Sequence, residues 1–396
     1  MAPNIPSLLA PRTESMAASA IREILKLLSR PGMISLAGGI PAPEAFPMDL
    51  LPGLYAEVLD RWAERAFQYD LTEGFVPLRE AASGYLRRFG VEAGLEDVLV
   101  TSGSQGLLDA VGKLFIGPGD AVAVESPTYL GALQAFNPYQ PRYVEIATDD
   151  EGAIPESLDA VLSAHAVKFT YLVPTFQNPA GRTLSLERRK AVADILRRRG
   201  ALLVEDDPYA SLRYRGERLP SIKSLAPDHV LYGTTFSKVF APGLRVGLAV
   251  PPNRELGDWL VRAKQGTDLH SSTLGQALAA VYLDGGHLEI QLPRIVAHYA
   301  PRLDAMLGAL EEFFPEDWSW SRPEGGMFVW ATGPDGVDID AVYRRGLERN
   351  VAFVPGRHFY AEPANAGATM RLNFTNADPA TLRRAVEILG TVLREF

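Results

Sequence analysis

Lys238 ends the apolar run Val230-Leu231-Tyr232-Gly233-Thr234-Thr235-Phe236-Ser237-Lys238 and is followed by Ala241-Pro242-Gly243-Leu244-Arg245-Val246-Gly247. A solvated charge has little reason to sit directly after a buried strand, beside two hydroxyls and seven residues before an arginine. A lysine held in a pocket can do covalent chemistry with a carbonyl, because its amine adds to an aldehyde. The ordinary lysine pKa is about 10.4, so such a pocket must favour the neutral amine for base work. The placement points to an enzyme carrying a carbonyl cofactor.

The cofactor that a lysine serves in this way is pyridoxal phosphate. It presents an aldehyde, a phosphate, a ring nitrogen and a ring hydroxyl. Each has a candidate partner. Thr101-Ser102-Gly103-Ser104-Gln105-Gly106 joins an apolar run to an amphipathic stretch, and small residues at a helix N-terminus suit an anion. The loop lacks both the Gly-Lys-Ser/Thr ending of a nucleoside-triphosphate loop and the G-x-G-x-x-G fingerprint of a dinucleotide site. Thr235, Ser237 and Arg245 can complete a phosphate cup. Asp206 closes Leu202-Leu203-Val204-Glu205-Asp206-Asp207 and can keep a pyridine nitrogen protonated, although three adjacent acids leave the choice open by spacing alone. Tyr209, three residues on, can donate to the ring hydroxyl.

Asn178 lies in Thr175-Phe176-Gln177-Asn178-Pro179-Ala180-Gly181, after another apolar run, where Asn-Pro is otherwise a turn signal. Tyr129, in Glu125-Ser126-Pro127-Thr128-Tyr129, is the candidate stacking aromatic. Arg371 interrupts the apolar Met370-Arg371-Leu372-Asn373-Phe374. Burying a guanidinium is costly unless an anion pairs with it, and a substrate carboxylate is the functional partner.

The elements that must position these residues are legible as seven short apolar runs. They are Asp97–Ser102, Ala121–Glu125, Arg142–Ile146, Phe169–Pro174, Ala201–Asp206, His229–Thr234 and Val246–Val250. Several are continuously apolar, as strands buried on both faces require. Stretches with helical spacing, such as Gln105–Phe115 and Leu186–Arg199, separate most of them. The expected architecture is α/β: a mainly parallel seven-stranded sheet covered by helices, with ligands beyond the carboxyl ends of the strands. From about residue 290, helical stretches at Leu292–Phe314, Ile339–Arg349 and Pro379–Glu395 flank runs at Met327–Ala331, Ala352–Pro355 and Thr369–Phe374, as in a smaller α+β unit. The division expected is an N-terminal arm over 1–40, with a short helix at Met16–Ser29 packing on the small domain, a large domain over 41–290 and a small domain over 291–396.

Composition narrows the class. The chain has 396 residues, 47% of them hydrophobic, a net charge of −9 and no cysteine. Disulfides, zinc–thiolate sites and thiol nucleophiles are excluded, and no other metal site is read. The acidic balance argues against general nucleic-acid binding. No apolar run approaches the ~18 residues of a membrane span. Met1-Ala2-Pro3-Asn4-Ile5-Pro6 does not read as a secretory signal, and a cytoplasmic protein is expected. Arg188-Arg189-Lys190 and Arg197-Arg198-Arg199 are expected on a solvated helix face.

With these residues in order, the chain resembles the pyridoxal-phosphate aminotransferases of fold type I, classes I and II. Ser-Lys-x-x-x-Pro-Gly-Leu-Arg-x-Gly from Ser237 to Gly247 is the specific match, and the likeness runs from Leu36-Ala37-Gly38-Gly39 to Met370-Arg371-Leu372. The resemblance implies that Lys238 is the Schiff-base lysine and proton shuttle. It makes Asp206 the partner of the ring nitrogen, Asn178 and Tyr209 partners of the ring oxygen, and Tyr129 the stacked aromatic. Ser104, Gln105, Thr235, Ser237 and Arg245 become the phosphate cup. Arg371, Gly39 and Asn178 become the α-carboxylate site. It further implies a homodimer with shared active sites, in which Tyr69 reaches the neighbouring subunit's phosphate.

The likeness is nearest to the α-aminoadipate and kynurenine aminotransferase group, on Ala20-Ile21-Arg22-Glu23-Ile24-Leu25-Lys26, Gly38-Gly39-Ile40-Pro41-Ala42-Pro43-Glu44, Gln265-Gly266-Thr267-Asp268-Leu269-His270 and Pro323-Glu324-Gly325-Gly326-Met327-Phe328-Val329-Trp330. In that group the N-terminal helix borders the substrate pocket, which maps a distal-carboxylate site to Ser19 and Arg22. The expected reaction is ping-pong transamination between an L-amino acid (2-aminoadipate, or a broad range including aromatic and branched-chain donors) and 2-oxoglutarate. A β-lyase or decarboxylase using the same cofactor is the alternative. An aminotransferase-like sensor module of a transcription regulator is a third reading, disfavoured because only about 40 residues precede the expected large domain.

Overall fold

The computed structural model describes residues 3–16 and 32–396. The helix expected at Met16–Ser29 therefore lies, apart from Met16, outside the described residues, and Ser19 and Arg22 lie there with it.

All seven apolar runs form strands. In chain order the strands are β1 Ile34–Ser35, β2 Leu99–Thr101, β3 Ala121–Ser126, β4 Arg142–Asp149, β5 Gly152–Ala153, β6 Val167–Leu172, β7 Leu203–Asp206, β8 Val230–Thr235, β9 Gly247–Val250, β10 Ser319–Trp320, β11 Phe328–Thr332, β12 Val351–Ala352, β13 Val354–Pro355 and β14 Thr369–Asn373. The large sheet has the order β2-β9-β8-β7-β6-β3-β4-β5. From β8 through β7, β6 and β3 to β4 every pairing is parallel. β9 runs against both its neighbours, so β2 regains the direction of β8. The eighth strand, β5, is a two-residue return on β4 that is too short to leave a pattern in sequence.

Every residue of β7, β8 and β9 is buried, which is why their apolar residues run consecutively rather than alternating with solvated ones. The helix Leu186–Arg199 starts where Ser185 Oγ accepts from the Arg188 amide and ends at Gly200 in the left-handed region. Its Val192, Ala193 and Leu196 pack on Leu172, Leu203 and Val230 of the sheet. Leu196 is fully buried, so truncation to alanine costs about 2–5 kcal/mol.

One expectation for this helix fails. Arg197, Arg198 and Arg199 are exposed, but Arg189 is buried. Its guanidinium turns inward and donates to the carbonyls of Leu184, Pro220 and Pro174 and to Thr175 Oγ1 at 2.8–3.1 Å. Unpaired carbonyls at a strand end need donors, and arginine supplies several from one fork. Arg189 thereby fixes the start of the loop that carries Asn178.

The smaller sheet is antiparallel in the order β10-β11-β14-β13. Helices His287–Phe313, Ile339–Glu348 and Pro379–Leu393 accompany it. The last two start on aspartate N-caps, Asp338 and Asp378. Arg371 sits in the central strand β14, opposite Trp330 of β11 and Val354 of β13. β1 pairs in parallel with β12, and Leu36 is tied on both sides, to the Ala352 carbonyl and the Asn373 amide. This brings Ala37-Gly38-Gly39 against Arg371. Among the described residues no helix is long and apolar enough to cross a membrane.

Candidate active site

The carboxyl ends of the parallel strands and the face of β14 meet at a cavity of about 280 Å³. Strand β8 delivers the lysine. Thr235 Oγ1 accepts from the Ser237 amide at 3.1 Å and starts a single 3₁₀ turn over Phe236–Lys238. The turn sets Lys238 half-buried on the cavity wall, its Nζ donating to the Gly39 carbonyl at 3.1 Å. Burial, then the Arg371 and Arg245 cations, bring its amine down to about 8. This meets the requirement for a neutral amine within reach of ordinary pH.

Strand alternation decides which of the three acids faces the cavity. Glu205 accepts from the Ile222 and Lys223 amides at 2.9 and 2.7 Å. Asp207 accepts from Tyr232 Oη at 3.1 Å and the Ala210 amide at 3.2 Å. Asp206, between them, lines the cavity. Burial raises its carboxyl to about 6, opposed first by the hydrogen bond from Tyr171 and then by the nearby Ser104 hydroxyl. Its Oδ1 is buried with no hydrogen-bond partner among the described residues.

Arg371 is fully buried. It donates through Nη1 to Asn178 Oδ1 at 2.8 Å and through Nη2 to the Ala37 carbonyl at 2.7 Å. The rings of Phe328 and Phe359 lie 4.2 and 4.9 Å from its guanidinium carbon. Burial lowers its pKa only to about 10, so it stays charged, and its Nε is buried without a partner among the described residues. A cation this deep, with donors unused and no carboxylate against it among the described residues, is built for an incoming anion. Asn178, Tyr209 and Gly39 share the cavity with it. Tyr129 also lines it and folds back over Gly131, where a Cβ would sit 2.4 Å from the ring.

The opposite end of the cavity is the loop before the helix Gly103–Phe115. Gly103 has φ +70°, which strains any L side chain, and a Cβ there would lie 2.7 Å from the Arg245 guanidinium and displace it. Arg245 is itself in the left-handed region, at φ 55°, and donates to the Ser102 and Pro242 carbonyls at 3.3 Å. Ser104 Oγ is buried with no hydrogen-bond partner among the described residues. Thr235 and Ser237 hydroxyls, 2.9 Å apart, line the same end, and Gln105 joins them while its amide donates to the Gly131 carbonyl. Free amides of the first helical turn, hydroxyls and a guanidinium are the donor set of a phosphate site. The unpartnered Ser104 Oγ, Asp206 Oδ1 and Arg371 Nε, distributed around one cavity, fit pyridoxal phosphate and a carboxylate substrate.

Twelve of the fifteen residues expected from sequence line this cavity: Gly39, Ser104, Gln105, Tyr129, Asn178, Asp206, Tyr209, Thr235, Ser237, Lys238, Arg245 and Arg371. Tyr69 does not. It is 77% exposed, with its ring edge-on to His270 in a separate shallow pocket. Ser19 and Arg22 lie outside the described residues. Sequence reasoning missed Tyr171, the hydrogen-bond donor to Asp206, and Ile40, Val173, Pro208 and Pro242 on the cavity wall.

Fold and cavity together define a pyridoxal-phosphate enzyme, and residues 60–389 match the family Aminotransferase class I and II. The chain belongs to that family and is a pyridoxal-phosphate-dependent aminotransferase of fold type I. It is 44% identical to aromatic-amino-acid aminotransferase 1 of Thermococcus litoralis, over 96% of this chain and 92% of that one. It is 42% identical to 2-aminoadipate transaminase of Thermus thermophilus, over 95% of this chain and 94% of the other. Among solved structures, Pyrococcus horikoshii kynurenine aminotransferase in complex with PMP, with KYN as substrate and KYA as product, superposes with a TM-score of 0.94. That pair shares 43% identity, covering 99% of this chain and 98% of that one.

Proposed function

We propose that this aminotransferase works by a ping-pong cycle with 2-oxoglutarate as acceptor, on 2-aminoadipate or a broad donor range that includes aromatic and branched-chain amino acids. The observation that carries the reading is the Lys238 amine sharing one small cavity with Asp206 and the buried Arg371, which has no carboxylate partner among the described residues. The activities for which the relatives are named, on aromatic, aminoadipate and kynurenine substrates, support the aminoadipate and aromatic donors.

When bound, pyridoxal phosphate supplies the aldehyde that takes the amino group and a ring that draws electron density from the α-carbon. Lys238 Nζ holds the cofactor between turnovers, then removes the substrate's α-proton as a neutral amine. Arg371 grips the α-carboxylate, with Gly39 and Asn178 beside it. Asp206 keeps a proton at the ring nitrogen, and Asn178 and Tyr209 hold the ring oxygen. Tyr129 covers the ring face. Ser104, Gln105, Thr235, Ser237 and Arg245 bind the phosphate. The donor's carbon skeleton leaves as a 2-oxo acid before the acceptor enters.

The reading extends to a cytoplasmic homodimer, with Tyr69 of each copy completing the other's phosphate site. The 77% exposure of Tyr69 leaves it available for that role. The chain divides at about residues 40 and 290 into an arm, a large and a small domain. Ser19 and Arg22 take the distal carboxylate of aminoadipate and glutamate.

A donor panel with and without 2-oxoglutarate tests the reaction. Acceptor-dependent formation of 2-oxo acid and glutamate is expected. Ammonia, pyruvate or carbon dioxide released without an acceptor would replace it with a β-lyase or decarboxylase. Arg22→Ala is expected to lower kcat/KM for aminoadipate more than for leucine or phenylalanine; equal losses would remove Arg22 from recognition.

A further inference from the structure

Among the described residues one hydrogen bond reaches the Asp206 carboxylate, from Tyr171 Oη to Oδ2 at 2.9 Å; the Ser104 hydroxyl lies near enough to favour the ionised carboxylate, to a lesser degree, without making a bond. Tyr171 does not line the cavity and is fully buried. The register explains the contact. Tyr171 on β6 pairs with Val204 on β7, so Asp206 lies two residues further along the parallel neighbour, on the same face. A tyrosine spans that diagonal; a shorter side chain does not. Its ring stands edge-on to Phe136, centroids 5.9 Å apart at 81°, and Phe136 packs in turn on Phe169. An apolar floor therefore presents one hydroxyl to one carboxylate oxygen.

We propose that Tyr171 is a positioning residue: by occupying Oδ2 of Asp206 it directs Oδ1 to the cofactor's ring nitrogen and keeps the carboxylate ionised, so that the proton stays on the ring. The inference rests on the assignment of Asp206 to that nitrogen. Burial holds the Tyr171 hydroxyl well above the usual phenol range, so it donates rather than ionises. The other titratable groups around the pair are Asp207, next along the strand, and Glu125, Tyr129 and Tyr209. None of them donates a hydrogen bond to Asp206 among the described residues.

Removing the donor makes Asp206 more basic, and the proton moves from ring nitrogen to carboxylate. A hydrogen bond to a charged group is worth enough to shift such a balance by about one pH unit. The test loads ring-¹⁵N-labelled pyridoxal phosphate into the native protein and into Tyr171→Phe and Asp206→Asn, and follows the ring-nitrogen resonance from pH 6 to 10. Tyr171→Phe is expected to bind one cofactor per chain, melt near the native temperature and move the resonance toward neutral pyridine by the equivalent of about one pH unit. Asp206→Asn is expected to move it further. Site-specific 3-fluorotyrosine at 171, a stronger donor in the native shape, is expected to move it the opposite way.

A native resonance in Tyr171→Phe, with Asp206→Asn displaced, would overturn the role of Tyr171 and leave the assignment of Asp206 standing. A fluorotyrosine shift in the same direction as phenylalanine would also overturn it. Native resonances in both Tyr171→Phe and Asp206→Asn would overturn the assignment of Asp206 itself.

Discussion

Replacing Arg371 with lysine separates charge from geometry at the carboxylate site. The guanidinium spends one N–H on Asn178 Oδ1 and one on the Ala37 carbonyl, at 2.8 and 2.7 Å. That leaves about three of its five N–H groups, including the unpartnered Nε, for a bidentate grip on a carboxylate. A lysine ammonium has about three N–H groups in all, and holding the same two acceptors leaves it about one. Arg371→Lys thus keeps a positive charge but loses about one charge-assisted hydrogen bond to substrate, worth about 1.5–3 kcal/mol. The expected result is a rise of about 10- to 150-fold in KM for both amino acid and 2-oxo acid. Steady-state kinetics on cofactor-saturated protein measures it. Discrimination against the amine lacking the α-carboxylate should collapse in parallel, because that amine never used the grip. A KM within about twofold of native for both substrates, with discrimination intact, would refute the placement of the carboxylate on Arg371.

Two further outcomes follow from buried titrations. The Lys238 amine, held at about 8, should react with added pyridoxal phosphate at a rate that rises about tenfold per pH unit below pH 8 and levels off above it; continued rise toward pH 10 would mean an ordinary lysine. Glu125 is 1% exposed, accepts from the Val173 amide at 2.9 Å, and is pushed by burial from 4.5 up to about 7. A carboxyl raised on folding stabilises fully below its unfolded pKa and loses that contribution as pH rises through the folded value, here roughly 3 kcal/mol between about pH 4.5 and 7. Glu125→Gln keeps the acceptor and cannot ionise, so its Tm should fall less than the native Tm between pH 5 and pH 8. Equal falls would show that Glu125 is already ionised at low pH in the fold.

The large sheet was legible because burial on both faces writes itself as unbroken apolar runs. Lys238, Asp206 and Arg371 were legible because charge at the end or middle of such a run has no packing explanation. The missed features share one cause, which is that their roles are set across strands. Tyr171 looks like one more apolar residue in Phe169-Thr170-Tyr171-Leu172 until the register puts its hydroxyl beside Asp206. Arg189, between Arg188 and Lys190, looks like a solvated charge, and only the fold supplies the carbonyls that draw it inward. The choice among Glu205, Asp206 and Asp207 needed the strand's alternation and the backbone amides of Ile222 and Lys223. Tyr69 stays outside the cavity of its own chain, where only a second copy can give it the expected role.

The central claim is that Lys238 carries the cofactor. Borohydride reduction of the loaded protein, followed by peptide mass spectrometry, tests it most directly, because reduction fixes the cofactor to whichever amine holds it. The account predicts one phosphopyridoxyl group per chain, on the peptide containing Ser237-Lys238-Val239, and none in Lys238→Ala, which should also have lost turnover. A label on any other lysine, or full activity in Lys238→Ala, would contradict it.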